Sequence, residues 1–184
     1  MKVIHFVRNR QERNQVLQNL KQTRCAHCRR TGTLNRHDRV QGNDPDAVDK
    51  QIPRGRRVWC SNRGRRGGCG RTMRIMFARL MPRHSVNAKM LSRLLKGLCG
   101  GGSVKHVWEA CRLPVQLQSV YHLLRRFRDR LDAVRVALLS RCKPPGSLHA
   151  DPLRQTAEHL RCAFPQCENP VEAFQHTFQT PIMG

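Results

Sequence analysis

The sequence predicts an α+β chain, mostly α, in which a small cysteine-stapled unit precedes a three-helix unit with a long final helix. Two cysteine pairs, Cys25/Cys28 and Cys60/Cys69, bracket residues 29–59 and suit facing turns of a small β-unit. From Val86 onward, apolar residues recur at helical spacing between glycine and proline punctuation. The 184 residues leave room for one ordinary domain or two small ones.

Residues 8–21, RNRQERNQVLQNLK, are helix formers with little apolar face beyond Val16, Leu17 and Leu20. They predict a short, mostly solvated helix, making residues 1–24 an N-terminal helix or arm. Residues 25–80 then form the cysteine-bearing unit. Within it, QGNDPDAVDKQIPRG (41–55) is rich in turn formers and reads as a loop between the cysteine pairs. Thr72–Leu80 suits either a strand or the entry to a helix, and Pro82 ends it.

Residues 81–142 form the helical unit. Ser85 is the expected N-cap of VNAKMLSRLLKGL, whose Val86, Met90, Leu94, Leu95 and Leu98 share a face. Gly100–Gly102 stop that helix, and Ser103 caps VKHVWEACRL. After Leu113-Pro114, a long helix is expected from Gln116 toward Arg141. Its Leu117, Val120, Leu124, Phe127, Leu131, Val134 and Leu138 alternate three- and four-residue spacings. That pattern fits a homodimeric coiled-coil seam through 117–138 or, equally, a core helix of one bundle. KPPG (143–146) ends the helix, and residues 143–184 read as a mixed tail with a helical patch near 151–161.

Thiolates two residues apart can grip one metal from a tight turn, and a second pair completes a tetrahedral set. Cys25, Cys28, Cys60 and Cys69 are the expected ligands of one Zn2+, with His27 and His37 as substitutes. Four thiolates leave no open coordination position, so such a zinc is structural. The Cys60–Cys69 insert, SNRGRRGG, is longer than ribbon knuckles usually carry, and Gly70 suits the turn beneath it. Unligated cysteines in a small core are the alternative; a redox pair would need a thioredoxin-like βαβ pattern that the sequence lacks. Cys99, Cys111 and Cys142 fall in helical patterns as small hydrophobes. His159, Cys162, Cys167 and His176 in the tail could make a second zinc site, a weaker expectation than a reduced, packed tail.

Thirty-five lysines and arginines against 12 acids give a net charge of +23. Such an excess calls for a polyanionic partner, DNA or RNA, with an anionic membrane as the rival. No apolar run approaches the length of a membrane span and MKVIHFVRNRQERN shows no secretion signal, so a cytoplasmic location is expected. Arg54, Arg56, Arg57, Arg63, Arg65, Arg66, Arg71 and Arg74 run without one lysine or acid, favouring forked phosphate or guanine contacts over diffuse charge. One tyrosine and six phenylalanines supply few stacking platforms for single strands.

CAHC, VWCSNRGRRGGCGRT and QLQSVYHLLRRF together resemble the DNA-binding half of bacterial insertion-sequence transposases and their small accessory proteins, over about residues 25–130. The resemblance implies a zinc ribbon followed by a helix-turn-helix. Gln116 would open the recognition helix, and Gln118, Ser119, His122, Arg125 and Arg126 would face the major groove or its phosphates. Leu113-Pro114 stands where such turns usually carry glycine, and Gln116 replaces the more typical serine. The implied function is sequence-specific DNA binding in transposition or transcription regulation, at a bacterial nucleoid and beside a separate catalytic subunit. An RNA-binding or ribosome-associated zinc-ribbon protein is the alternative. The chain itself is not expected to be an enzyme. A transposase needs three carboxylates arranged around two magnesium ions. The acids beyond residue 80 fall in helical or tail sequence, with Asp129 and Asp132 beside arginines.

Overall fold

The computed structural model describes residues 3–47, 49–63, 67–146 and 149–183. The chain is α+β, with seven α-helices and one four-stranded mixed sheet among those residues. It divides into two compact units, residues 1–78 and 79–184.

In the first unit the sheet order is β1-β4-β3-β2, formed by β1 (Ile4–Val7), β2 (Leu34–Asn43), β3 (Gln51–Cys60) and β4 (Thr72–Phe77). β1 runs parallel to β4; the other pairings are antiparallel. The helix expected over 8–21 is α1 (Arg10–Gln18), with a 3-10 turn at Asn19–Lys21. Asn9 caps α1 by accepting from the Glu12 amide; Leu17 of α1 and Leu20 of the 3-10 turn are buried. The Arg13 guanidinium lies 5.5 Å over the Phe77 ring.

The segment 41–55 is mostly strand, which corrects the loop expectation. β2 and β3 pair from Leu34↔Cys60 out to Asn43↔Gln51, leaving only 44–50 as the turn. Turn-forming residues survive in these strands because their outer ends form a solvated two-strand ribbon with irregular register between Arg36/Arg39 and Val40/Gln41. Asp44, Asp46 and Asp49 all sit on the turn at the ribbon's far end. The Asp46 amide donates to the Asp44 carboxylate at 3.0 Å, a local bond that favours turns over ladders. Thr72–Phe77 resolves as strand, and β1 appears where no strand was expected.

The second unit is helical: α2 (Ala88–Cys99), α3 (Val104–Cys111), α4 (Leu117–Arg128), α5 (Leu131–Leu139), α6 (Pro152–Ala163) and α7 (Pro170–Phe178). Asn87, not Ser85, caps α2, accepting from the Met90 amide at 2.8 Å. Ser103 caps α3 as expected, accepting from His106. Gly97 lies against the Val107 side chain, where no other residue would allow α2 and α3 so close.

The single long helix expected from Gln116 to Arg141 is instead two. Asp129 ends α4, and Arg130, at φ −116° and ψ 0°, breaks the helical path before α5. Val120, Leu124, Phe127, Val134 and Leu138 are all buried in one core. The alternating spacing therefore records a core-facing stripe, and the break lets both pieces wrap that core. A dimer seam through 117–138 would need side chains that the unit's own interior already uses. The helical patch expected near 151–161 is α6, and the tail packs as expected: Leu153, Leu160, Val171, Phe174, Ile182 and Met183 belong to the same core.

Candidate metal centre and basic surfaces

The sulfur atoms of Cys25, Cys28, Cys60 and Cys69 all lie within 4.8 Å of one another. Cys25 and Cys69 are 3.8 Å apart and Cys28 and Cys60 3.7 Å apart, sulfur to sulfur. Sulfurs at about 2.3 Å from one tetrahedral ion stand about 3.8 Å from each other. The donor set therefore fits one thiolate-coordinated metal.

Local backbone chemistry builds this cluster. The Arg29 amide donates to the Cys25 carbonyl at 2.8 Å, and the Cys25 amide to the Arg30 carbonyl at 2.9 Å, closing a tight turn around the first pair. Arg29 takes a left-handed conformation there, with φ 61°. At the second pair, Gly70 donates to the Cys60 carbonyl at 2.9 Å with φ +70°. Gly68 donates to the Ser61 carbonyl at 2.8 Å; a Cβ on it would stand 2.6 Å from the Cys60 sulfur. These glycines let the long insert fold back so that Cys69 returns to Cys60.

Amide groups of His27 and Cys69 point at the sulfurs of Cys25 and Cys60, at 3.4 and 3.3 Å. The Thr33 hydroxyl lies 3.2 Å from the Cys60 sulfur. Burial pushes the Cys25 thiol above its ordinary range, the neighbouring thiols adding to it. Burial also opposes ionisation at Cys60, but the hydrogen bonds it shares with Thr33, the Cys69 amide and the Cys25 and Cys28 sulfurs together outweigh it and pull that thiol down. His27 and His37 stand outside the cluster: His27 Nε2 is 3.4 Å from the Thr72 carbonyl, and His37 pairs with Asp38 at 2.8 Å.

Strand alternation splits the arginines of 54–74 into different environments. Arg54 is only 7% exposed, its stem against Gly42, so it is not a surface contact. Arg57 and Arg74 are direct cross-strand partners on one face, while Arg56 opposes buried Ile75 on the other. Arg57 also donates to Asp38 at 3.0 Å. Arg63 is exposed and lies 5.9 Å over the Trp59 ring, whose Nε1 donates to the Gly70 carbonyl at 3.2 Å. Arg71 is exposed beside Gly70. Arg65 and Arg66 lie outside the described residues.

In the second unit, α3 and α4 are joined by residues 112–116. Arg112, directly before Leu113-Pro114, occupies the left-handed region at φ 47°, a conformation that glycine adopts without strain. Buried Leu113 fixes the turn on the core, and Gln116 stands at the N-cap position of α4 without a side-chain cap bond. Val120, Leu123, Leu124 and Phe127 face inward, while Gln116, Gln118, Ser119, His122, Arg125 and Arg126 are all exposed. Tyr121 joins them at 52% exposure.

The tail residues do not assemble a second metal set. His159 is buried and its Nε2 lies 2.9 Å from the Cys142 carbonyl, while Cys162 and Cys167 are exposed. Cys99, Cys111 and Cys142 are half-buried and pack on the helical core, as expected. Sequence reasoning missed a group of cations beside the first cysteine pair: Lys21, Arg24, Arg29 and Arg30 line one open depression. Their signal was present in TRCAHCRR, where three arginines flank the pair directly. No helix among the described residues is long and apolar enough to cross a membrane. Comparison with protein-family models, with curated proteins and with solved structures finds no match to this chain.

Proposed function

We propose that this chain is a non-catalytic, sequence-specific DNA-binding protein with one structural zinc ion and a helix-turn-helix formed by α3 and α4. The observation that carries this reading is α4 itself. Its inward face is wholly apolar, and its outward face offers Gln118, Ser119, His122, Arg125 and Arg126 with no carboxylate among them. An exposed helix of that composition, set after a short helix and a fixed turn, can enter a major groove and offer forked donors to guanine or amides to adenine.

Zinc suits the all-thiolate set better than hard cations, which prefer oxygen. Cys25, Cys28, Cys60 and Cys69 would hold it, and its role is to fix the turns that carry Arg29, Arg30 and Arg71. The net charge of +23 supplies the sequence-independent attraction on which base reading is superimposed. Within this reading, the chain acts in the cytoplasm of a bacterium, in transposition or transcription, and any strand cleavage belongs to a separate subunit.

Selection from a random duplex library with zinc-loaded protein at physiological salt tests the proposal. Enrichment of a defined motif is the expected result, and a spaced repeat would add a homodimer. Arg125→Ala should then weaken binding to that motif by about 1–3 kcal/mol while leaving random duplex nearly unchanged. No enrichment, together with tighter binding to structured RNA than to any duplex, would replace this reading with the RNA-binding one.

A further inference from the structure

We infer that the depression beside the first cysteine pair is a docking site for phosphodiester groups of a nucleic-acid backbone, and that the metal turn shapes it. The inference rests on the proposal that the partner is a nucleic acid, and it assigns a ligand group to the cations that the metal turn carries. The depression has a volume of about 660 Å3 and is lined by Lys21, Arg24, Arg29, Arg30, Thr31 and Gly32. Four side chains there are cations, one is a hydroxyl, and none is a carboxylate. All four cations are exposed.

Lys21, Arg29 and Arg30 are held in place from two sides. On one, the turn around Cys25 and Cys28 fixes Arg29 and Arg30 through the two backbone hydrogen bonds to Cys25. Arg29 pays for this with its left-handed φ of 61°, a conformation an L residue keeps only where its surroundings impose it. On the other side, the Gly32 amide donates to the Lys21 carbonyl at 2.9 Å, and Lys21 Nζ donates to Asn35 Oδ1 at 2.6 Å. Arg30 donates to the Gly67 carbonyl, which ties this rim to the segment leading to Cys69. Arg30 is therefore a positioning residue, and Arg24, Arg29 and the Thr31 hydroxyl are the groups placed to meet a phosphate.

The chemistry favours phosphate over a carboxylate peptide. Two arginine forks beside a lysine and a hydroxyl match a group with several acceptor oxygens and more than one direction of approach. Such contacts position a protein on a backbone and carry no base information. This site and the α4 surface should therefore behave oppositely when tested.

The test is the salt dependence of duplex binding by full-length, zinc-loaded protein and by its Arg24→Gln/Arg29→Gln variant. The variant should bind selected and random duplexes more weakly by the same factor. Its slope of log affinity against log salt should fall by about 1–2, since each phosphate contact contributes about 0.9. An Arg24→Lys/Arg29→Lys variant should restore most of that slope. Metal content and amide spectra of both variants must match the parent, which separates lost contacts from lost structure. A second arm titrates inorganic pyrophosphate and follows backbone amides. Saturable shifts centred on Arg29–Gly32 that disappear in the glutamine variant support the site. An unchanged slope, or pyrophosphate shifts spread evenly over the cationic surface, would overturn it. If the library yields no motif but the slope still falls, the phosphate site stands and sequence-specific reading does not. A recovered motif with an unchanged slope gives the reverse.

Discussion

The two units hold themselves together by different means. Residues 79–184 bury one continuous apolar cluster, running from Met81 through Leu94, Phe127 and Leu160 to Met183. Residues 1–78 instead spread a smaller set over the sheet, with Phe6, Met76 and Ala78 as one cluster and Leu17, Leu20, Val58 and Ile75 among the remaining buried residues. The far half of the β2–β3 ribbon contributes little: Arg39, Gln41 and Gln51 are exposed. A unit so lightly filled suits a staple, and a metal held by the four sulfurs, as proposed, would supply its anchorage. Burial in the helical unit is distributed over many contacts; in the sheet unit the proposed metal would concentrate the stabilisation at one point.

The largest expected effect follows from that concentration. Removing the metal, by chelation or Cys60→Ser, should withdraw about 10 kcal/mol or more of binding free energy coupled to folding. Amide signals from residues 3–78 should collapse while those of the helical unit stay dispersed. Simultaneous loss of both sets would erase the distinction between the units. Phe127→Ala should do the converse, costing the helical unit about 3–5 kcal/mol through a cavity at a fully buried ring. Metal stoichiometry should be unchanged, and a variant that released metal would show the units to be one cooperative block.

Two glycines sharpen the contrast, each costing about 1–3 kcal/mol on replacement by alanine. A Cβ at Gly97 would stand 2.5 Å from Val107 Cγ1, so Gly97→Ala should lower the melting temperature of the helices. At Gly68 it would stand 2.2 Å from the Ser61 carbonyl oxygen, next to the Cys60 sulfur. Gly68→Ala should therefore be read in faster metal release, not in helix melting. The smallest effect is expected from Asn87→Ala, which removes the α2 cap and should cost about 1 kcal/mol by thermal denaturation.

The metal cluster was legible because ligand spacing is a local property: Cys25-x2-Cys28 forms its turn whatever lies elsewhere, and Gly68 and Gly70 mark where the second pair folds back. Ser103 was legible for the same reason, a hydroxyl directly before a helical pattern. β1 was not, since four residues pair with β4 across some seventy positions of chain and leave no periodic trace. Nor was the break at Arg130, because core-facing spacing is the same for one long helix and for two that share a core. Arg54 shows a further limit. Charge in the sequence says nothing of which strand face a residue takes, and here the stem is buried against a glycine. The set on α4 was named from the resemblance of QLQSVYHLLRRF to a recognition-helix opening, and its exposure agrees with the helical spacing of its apolar partners.

The ten-residue ribbon strands put the turn acids about 30 Å from the cysteine end. Asp44, Asp46 and Asp49 outnumber Lys50 on that turn, while Arg24, Arg29, Arg30 and Arg71 surround the opposite end. The sheet unit is thus an electric dipole as well as a carrier of net charge. Near a polyanion it feels a torque before it feels contact, swinging the sulfur end inward and the acid tip away. That torque narrows the orientations sampled at encounter, so part of the docking search is completed while the two molecules are still separated by solvent.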